Sequence, residues 1–117
     1  MNKQDKKFEK ELIKTLTQCC ETFKEDIDGF TWLTHTLSFS NITQSIKVIC
    51  VFESNNQLKQ ATENDELISI SHTIENALKG LGITLKKATK HIKFDSEENC
   101  ALSHDGNWQK RLNEKYH

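Results

Sequence analysis

Two hydrophobic periods alternate along the chain, and the elements follow from where each begins and ends. The longest apolar run lies between Ser45 and Glu53, where Ile46, Val48, Ile49, Cys50, Val51 and Phe52 surround a single Lys47. Its β-branched content and polar flanks predict a central β-strand. The strand is apolar on the face of Ile46, Val48, Cys50 and Phe52, and partly so on the face of Ile49 and Val51. Such a strand needs neighbours on its edges and cover on at least one face, so the other elements are placed by how they bury it.

Phe8, Leu12, Leu16, Cys19 or Cys20, Phe23 and Ile27 recur at helical spacing with Lys and Glu between them. They predict a helix from about Asp5 to Ile27, broken by Asp28-Gly29. From Phe30 to Phe39 the period falls to two. Leu33, His35, Leu37 and Phe39 share one face, and Phe30 and Trp32 begin the other, with the threonines. Ser40 to Gln44 then links this strand to the central one, and so short a link favours antiparallel pairing.

Beyond the central strand, Ser54-Asn55-Asn56 can start a helical turn over Gln57 to Ala61. Asn64 can cap a stronger helix carrying Leu67, Ile70, Ile74, Ala77 or Leu78, and Leu81, with Gly80 and Gly82 as terminators. Thr89 to Asp95 alternates again, Ile92 and Phe94 against His91, Lys93 and Asp95. This predicts a third strand, returned parallel to the second by the helical crossover. After it the chain turns polar: Ser96-Glu97-Glu98 suits a helix start, Asp105-Gly106 a turn, and Asn107 to Lys115 a short helix with Trp108 and Leu112, followed by a frayed end. The expected fold is a single α+β domain over residues 1–117. Its order is helix, strand, strand, helix, strand, with a three-stranded sheet and a short C-terminal helical or irregular tail from about residue 96 packed on it.

Composition narrows the class. A length of 117 residues suits one core, and 35% hydrophobic with 28% charged residues is ordinary for a globular chain. No apolar stretch approaches the roughly 20 residues of a membrane span, and the lysine-rich N-terminus lacks the apolar segment of a signal peptide, so no membrane partner and a cytoplasmic location are expected. In that compartment Cys19, Cys20, Cys50 and Cys100 are expected as free thiols. A net charge of −1 leaves no global attraction to nucleic acid, so such binding would need a local patch.

One local patch stands out. Lys79, Lys86, Lys87, Lys90, His91 and Lys93 follow one another with no acidic residue between Lys79 and Lys93. Lys86, Lys87, Lys90 and Lys93 can contact phosphates without reading sequence; the competing explanation is a solvated edge strand guarded by lysine. Other constellations are thinner. Cys100 and His104, with His91 and Cys19 or Cys20, are metal-ligating types without paired-ligand spacing, so no metal or cofactor is expected. Asp95, Glu97, Glu98, His104 and Asp105 could supply acid chemistry but suit helix-start and turn positions on a solvated tail. His35 is the one general-base candidate if its face is a cleft, and otherwise a core histidine. No catalytic residue is assigned and no enzyme is expected. Phe30, Trp32 and Trp108 are candidate partner anchors.

The segments Gly29-Phe30-Thr31-Trp32-Leu33-Thr34-His35, Lys47 to Phe52, His91 to Cys100 and Gly106-Asn107-Trp108 resemble a family of small uncharacterised bacterial proteins, over most of the chain. Some members carry the label "Fis family transcriptional regulator", which implies a DNA-binding helix-turn-helix near the C-terminus. Here that region holds Asp105-Gly106-Asn107-Trp108 and no recognisable pair of amphipathic helices, so no functional residue is carried over. The element order is also similar to type II KH-like domains, including ribosome-binding factor A, although Gly80-Leu81-Gly82 is not their Gly-x-x-Gly loop. The expectation is a non-enzymatic cytoplasmic binding module, nucleic-acid- or ribosome-associated and regulatory, that contacts an RNA or DNA backbone. The alternative is a protein-interaction or homodimerisation domain using the second apolar face of the sheet.

Overall fold

The computed structural model describes residues 2–116. The first helix, α1 (Lys3–Asp26), starts earlier than its apolar spacing suggests because the Asn2 side chain accepts a hydrogen bond from the Asp5 N–H at 2.7 Å. Leu12, Leu16, Cys19 and Phe23 line its buried stripe. The chain then reverses at Gly29, whose φ of +83° and close approach to Gln57 exclude a side chain; a Cβ there would lie 2.6 Å from Gln57 Cβ.

Strand β1 (Phe30–Thr36) runs antiparallel to β2 (Lys47–Phe52), which pairs in parallel with β3 (Ile92–Ser96). The sheet order is β1-β2-β3, so the apolar run is indeed the central strand, and the parallel return expected of the crossover is present. A single 3₁₀ turn (Phe39–Asn41) and the one-turn helix α2 (Ile42–Ser45) fill the link between β1 and β2, so Phe39 lies outside the strand. The crossover holds two helices, α3 (Asn55–Glu63) and α4 (Glu66–Lys79). The anticipated helical turn after β2 is a full helix because Ser54 caps it; Asn64, expected to start the next helix, ends α3, and Asp65 at φ 59° turns the chain into α4. A second 3₁₀ turn (Ala88–Lys90) takes the first part of the expected third strand. Two helices follow β3: α5 (Glu97–His104), capped by Ser96, and α6 (Trp108–Lys115), capped by Asn107.

The main core lies between α1, α4 and one sheet face, where Leu12, Leu16, Phe23, Val48, Cys50, Phe52, Ile70, Ile74 and Leu78 are buried together. Phe30 belongs to this core and not to the opposite face. The pairing of β1 with β2 shifts register between Phe30 and Trp32, and a strand that gains one residue moves every side chain before it to the other side. Phe30 therefore packs edge-on against Phe23 and Phe52, with ring centroids 5.3 and 5.6 Å apart. The second sheet face is closed as well. Ile49 and Val51, both fully buried, lie under Tyr116, Trp32, Trp108 and Leu112. No described helix is long and apolar enough to cross a membrane.

Candidate functional site

The two ends of β3 hold charge in two different settings. At the C-terminal end, strand alternation turns Asp95 away from the Ile92 and Phe94 side and toward the face under α6. Its carboxylate accepts five hydrogen bonds. Arg111 donates from Nε at 2.7 Å and from Nη2 at 3.0 Å, the Tyr116 hydroxyl at 2.7 Å, the Ser96 N–H at 2.9 Å and Asn99 Nδ2 at 3.3 Å. Asp95 and Arg111 are 1% and 4% exposed. Burial pushes the Asp95 carboxyl up, but the bonds from Arg111, Tyr116, Ser96 and Asn99 together outweigh it and hold the group below its usual range. Burial and the adjoining carboxylate push the Tyr116 phenol up, so it stays a donor.

A second carboxylate ties the aromatic lid to the sheet. Glu97 Oε1 accepts from the indole N–H of Trp32 at 2.6 Å and of Trp108 at 3.0 Å, and the two indoles meet edge to face with centroids 5.0 Å apart. His104 extends the network outward. Arg111 Nη1 approaches its Nδ1 at 3.3 Å and Glu114 its Nε2 at 2.8 Å, which makes Nε2–H the donor to Glu114. No buried side-chain polar atom among the described residues lacks a partner. Both oxygens of Asp95 are bonded within the interior, so what this carboxylate does chemically is lock α6 onto β3.

Glu97 and Glu98 do start α5 and Asp105 is an exposed turn residue, but the burial of Asp95 corrects the expectation of a solvated tail, and Tyr116 corrects that of fraying up to the last described residue. Tyr116 is buried and hydrogen-bonded, and α5 and α6 are consecutive helices joined by a three-residue turn through Asp105 at φ 53° and Gly106 at φ 78°. The second sheet face, expected to be open to a partner, is covered by the chain's own last helix. Trp32 and Trp108 face each other within that cover and Phe30 is in the main core, so the three do not form one surface. The signal that could have found the lid was Arg111 inside the stripe Trp108, Leu112 and Tyr116, a helical spacing that aims one cation at whatever acid the sheet presents.

The N-terminal end of β3 is arranged the opposite way. Lys86, Lys87 and Lys90 are exposed and have no ion-pair partner among the described residues; Lys93 is half-buried and donates to the Thr89 carbonyl at 3.0 Å. Lys86 and His91 line a recess of about 370 Å³ with Phe39, Asn41, Ile42, Thr43 and Gln44 from the link between β1 and β2. His91 Nδ1 is 2.7 Å from the Ile46 carbonyl oxygen; a carbonyl only accepts, so Nδ1 carries the proton and Nε2 is left for another partner. Sequence reasoning finds the lysines but misses Phe39, Asn41 and Gln44, because only the 3₁₀ turn and α2 together bring them to the recess that Lys86 lines.

A second, apolar groove of about 410 Å³ runs between α4 and the free edge of β3, walled by Leu67, Ile68, Ala88, Ile92 and Phe94. Ile68 is 56% exposed there. The bond from the Val48 N–H to the His91 carbonyl, with the pairing of Val48 to Ile92, directs the backbone groups of Ile92 and Phe94 to the strand's outer edge.

The remaining candidates are dispersed. His35 is half-buried opposite Val48, and burial lowers its pKa against a smaller opposing pull from Glu9. All four cysteines are free thiols, and burial raises each of them, away from thiolate chemistry. Cys100, His104, His91, Cys19 and Cys20 do not assemble into a ligand set; no group of three metal-ligating side chains occurs among the described residues. No protein-family model, curated protein or solved structure matches the chain.

Proposed function

We propose that the protein is a cytoplasmic, non-enzymatic binding module that contacts the phosphate backbone of a nucleic acid through Lys86, Lys87, Lys90 and Lys93. The observation that supports this most is the contrast in partnering along one strand: Asp95 and Arg111 neutralise each other in the interior, whereas the lysines that approach β3 project into solvent or bond only to backbone. Exposed lysines of this kind neutralise phosphates and release counterions, which makes binding strongly dependent on salt and insensitive to sequence. The chain's single arginine, the main tool for guanine readout in the major groove, is committed to Asp95.

The test is a salt titration of oligonucleotide affinity. The intact protein is expected to lose affinity linearly in log[salt], and each Lys→Glu reversal at 86, 87, 90 or 93 is expected to flatten the slope by about one for each phosphate left without its lysine. Affinity and slope unchanged in the fourfold reversal would remove the reading. A protein partner is the second reading, favoured by the groove beside the free edge of β3. There a second copy of the chain would pair β3 with β3, and sedimentation that shows a monomer at high concentration would exclude it.

A further inference from the structure

The lysine run explains attraction to a backbone but not the recess beside it. We propose that this recess, formed by Phe39, Asn41, Thr43, Gln44, Lys86 and His91, is a nucleotide subsite for single-stranded nucleic acid, an inference that rests on the backbone-binding reading and adds a base to it. Four features carry it. Phe39 is the aromatic in the wall, and an aromatic beside a basic groove is how proteins hold unpaired bases. Asn41 Nδ2 donates to Gln44 Oε1 at 2.9 Å, which fixes the two amides side by side and leaves Asn41 Oδ1 as an acceptor and the Gln44 amide nitrogen as a donor toward a base edge. His91, its Nδ1 committed to Ile46, has Nε2 available as acceptor for a ribose hydroxyl or base N–H. Lys86 belongs both to this recess and to the lysine run, so a strand whose phosphates follow Lys90, Lys87 and Lys86 delivers its next base to the recess.

The volume of about 370 Å³ is that of a small-ligand pocket. A duplex keeps its bases stacked inside and cannot fill it. The α4 groove has the wrong chemistry for this role, since its polar wall residues include Glu75 and no lysine.

The experiment is fluorescence anisotropy of the intact chain with a labelled single-stranded oligouridylate of about ten nucleotides, its DNA counterpart, and a duplex of the same length. Phe39→Ala is expected to weaken single-strand binding about tenfold or more, as loss of one stacked base does. The salt slope and duplex binding should stay unchanged, and Phe39→Tyr should restore affinity. Because Phe39 is partly buried, the double variant Asn41→Ala, Gln44→Ala, at two exposed positions, gives an independent test and is expected to weaken the same complex. If Phe39→Ala, verified as folded by its melting curve, and the double variant both bind the single strand like the intact protein while lysine reversal abolishes binding, the subsite is overturned and the backbone reading survives. If the intact protein binds none of the three probes, both fall. A preference between the RNA and DNA single strands assigns the role of His91 Nε2; equal affinity removes the ribose hydroxyl from the proposal.

Discussion

At its C-terminal end β3 buries an aspartate against an arginine, with a tyrosine, an asparagine and a backbone N–H completing the shell, while just before the strand begins an exposed lysine stands among others like it. Charge is neutralised inside the molecule at one end and left to the surroundings at the other. The difference separates charge that the fold itself consumes from charge that it leaves accessible. A buried ion pair survives only if every lone pair and proton is satisfied, and a group so satisfied has nothing left to offer a partner. Exposed lysines contribute almost nothing to folding and keep their full capacity to bind.

Mutation should expose that asymmetry, and the largest effect is expected from Arg111→Ala. It leaves the Asp95 carboxylate dry and uncompensated, which costs about 3–5 kcal/mol of stability in denaturant unfolding, and the added change Asp95→Leu should recover part of the loss. A loss under about 0.5 kcal/mol would mean that water reaches the cluster. Tyr116→Phe, which deletes one bond to the charged carboxylate, should cost about 1.5–3 kcal/mol and release the end of α6 to faster hydrogen exchange.

Acid should act on the same end of the strand. The folded Asp95 carboxyl titrates below its unfolded counterpart, so between the two values the unfolded chain holds the extra proton and acidification favours unfolding. The stability it contributes is present above about pH 3.9, the unfolded value, and is lost as pH falls through the lowered folded value. Asp95→Asn should be less stable at neutral pH and show a flatter acid limb; an unchanged limb would assign the acid sensitivity to other carboxylates. Trp32→Phe removes one indole donor from Glu97 and should cost about 1.5 kcal/mol, with a shift in the fluorescence of the remaining Trp108. The smallest effect on stability is expected from each lysine reversal at 86, 87, 90 and 93, within about 0.5 kcal/mol per position.

The contrast also explains what is legible in the sequence. The sheet, its central strand, the parallel crossover and the helical faces follow from periodicity, because each is a local pattern forced by one buried side. The register shift at Phe30 and Trp32 does not, since nothing local distinguishes a strand with an extra residue from one without it, and it moves Phe30 from the expected partner surface into the main core. The lid is hidden for a related reason. Asp95 and Arg111 are sixteen positions apart, and only their joint burial reveals that they are one unit. The lysine run is visible as composition. Its neighbours Phe39, Asn41 and Gln44 are not, because the 3₁₀ turn and the single turn of α2 that place them in the recess with Lys86 are too short to show a period.

The central claim is that the two ends of β3 divide folding from binding. It is tested most directly by measuring, on the same preparations, unfolding free energy and salt-dependent affinity for a single-stranded oligonucleotide in the fourfold lysine reversal and in Tyr116→Phe. The reversal is expected to melt like the intact protein and to lose its salt-dependent affinity, while Tyr116→Phe loses stability and binds with the original slope. A fourfold reversal that binds with unchanged slope, or a Tyr116→Phe variant that loses affinity while fully folded, would contradict it.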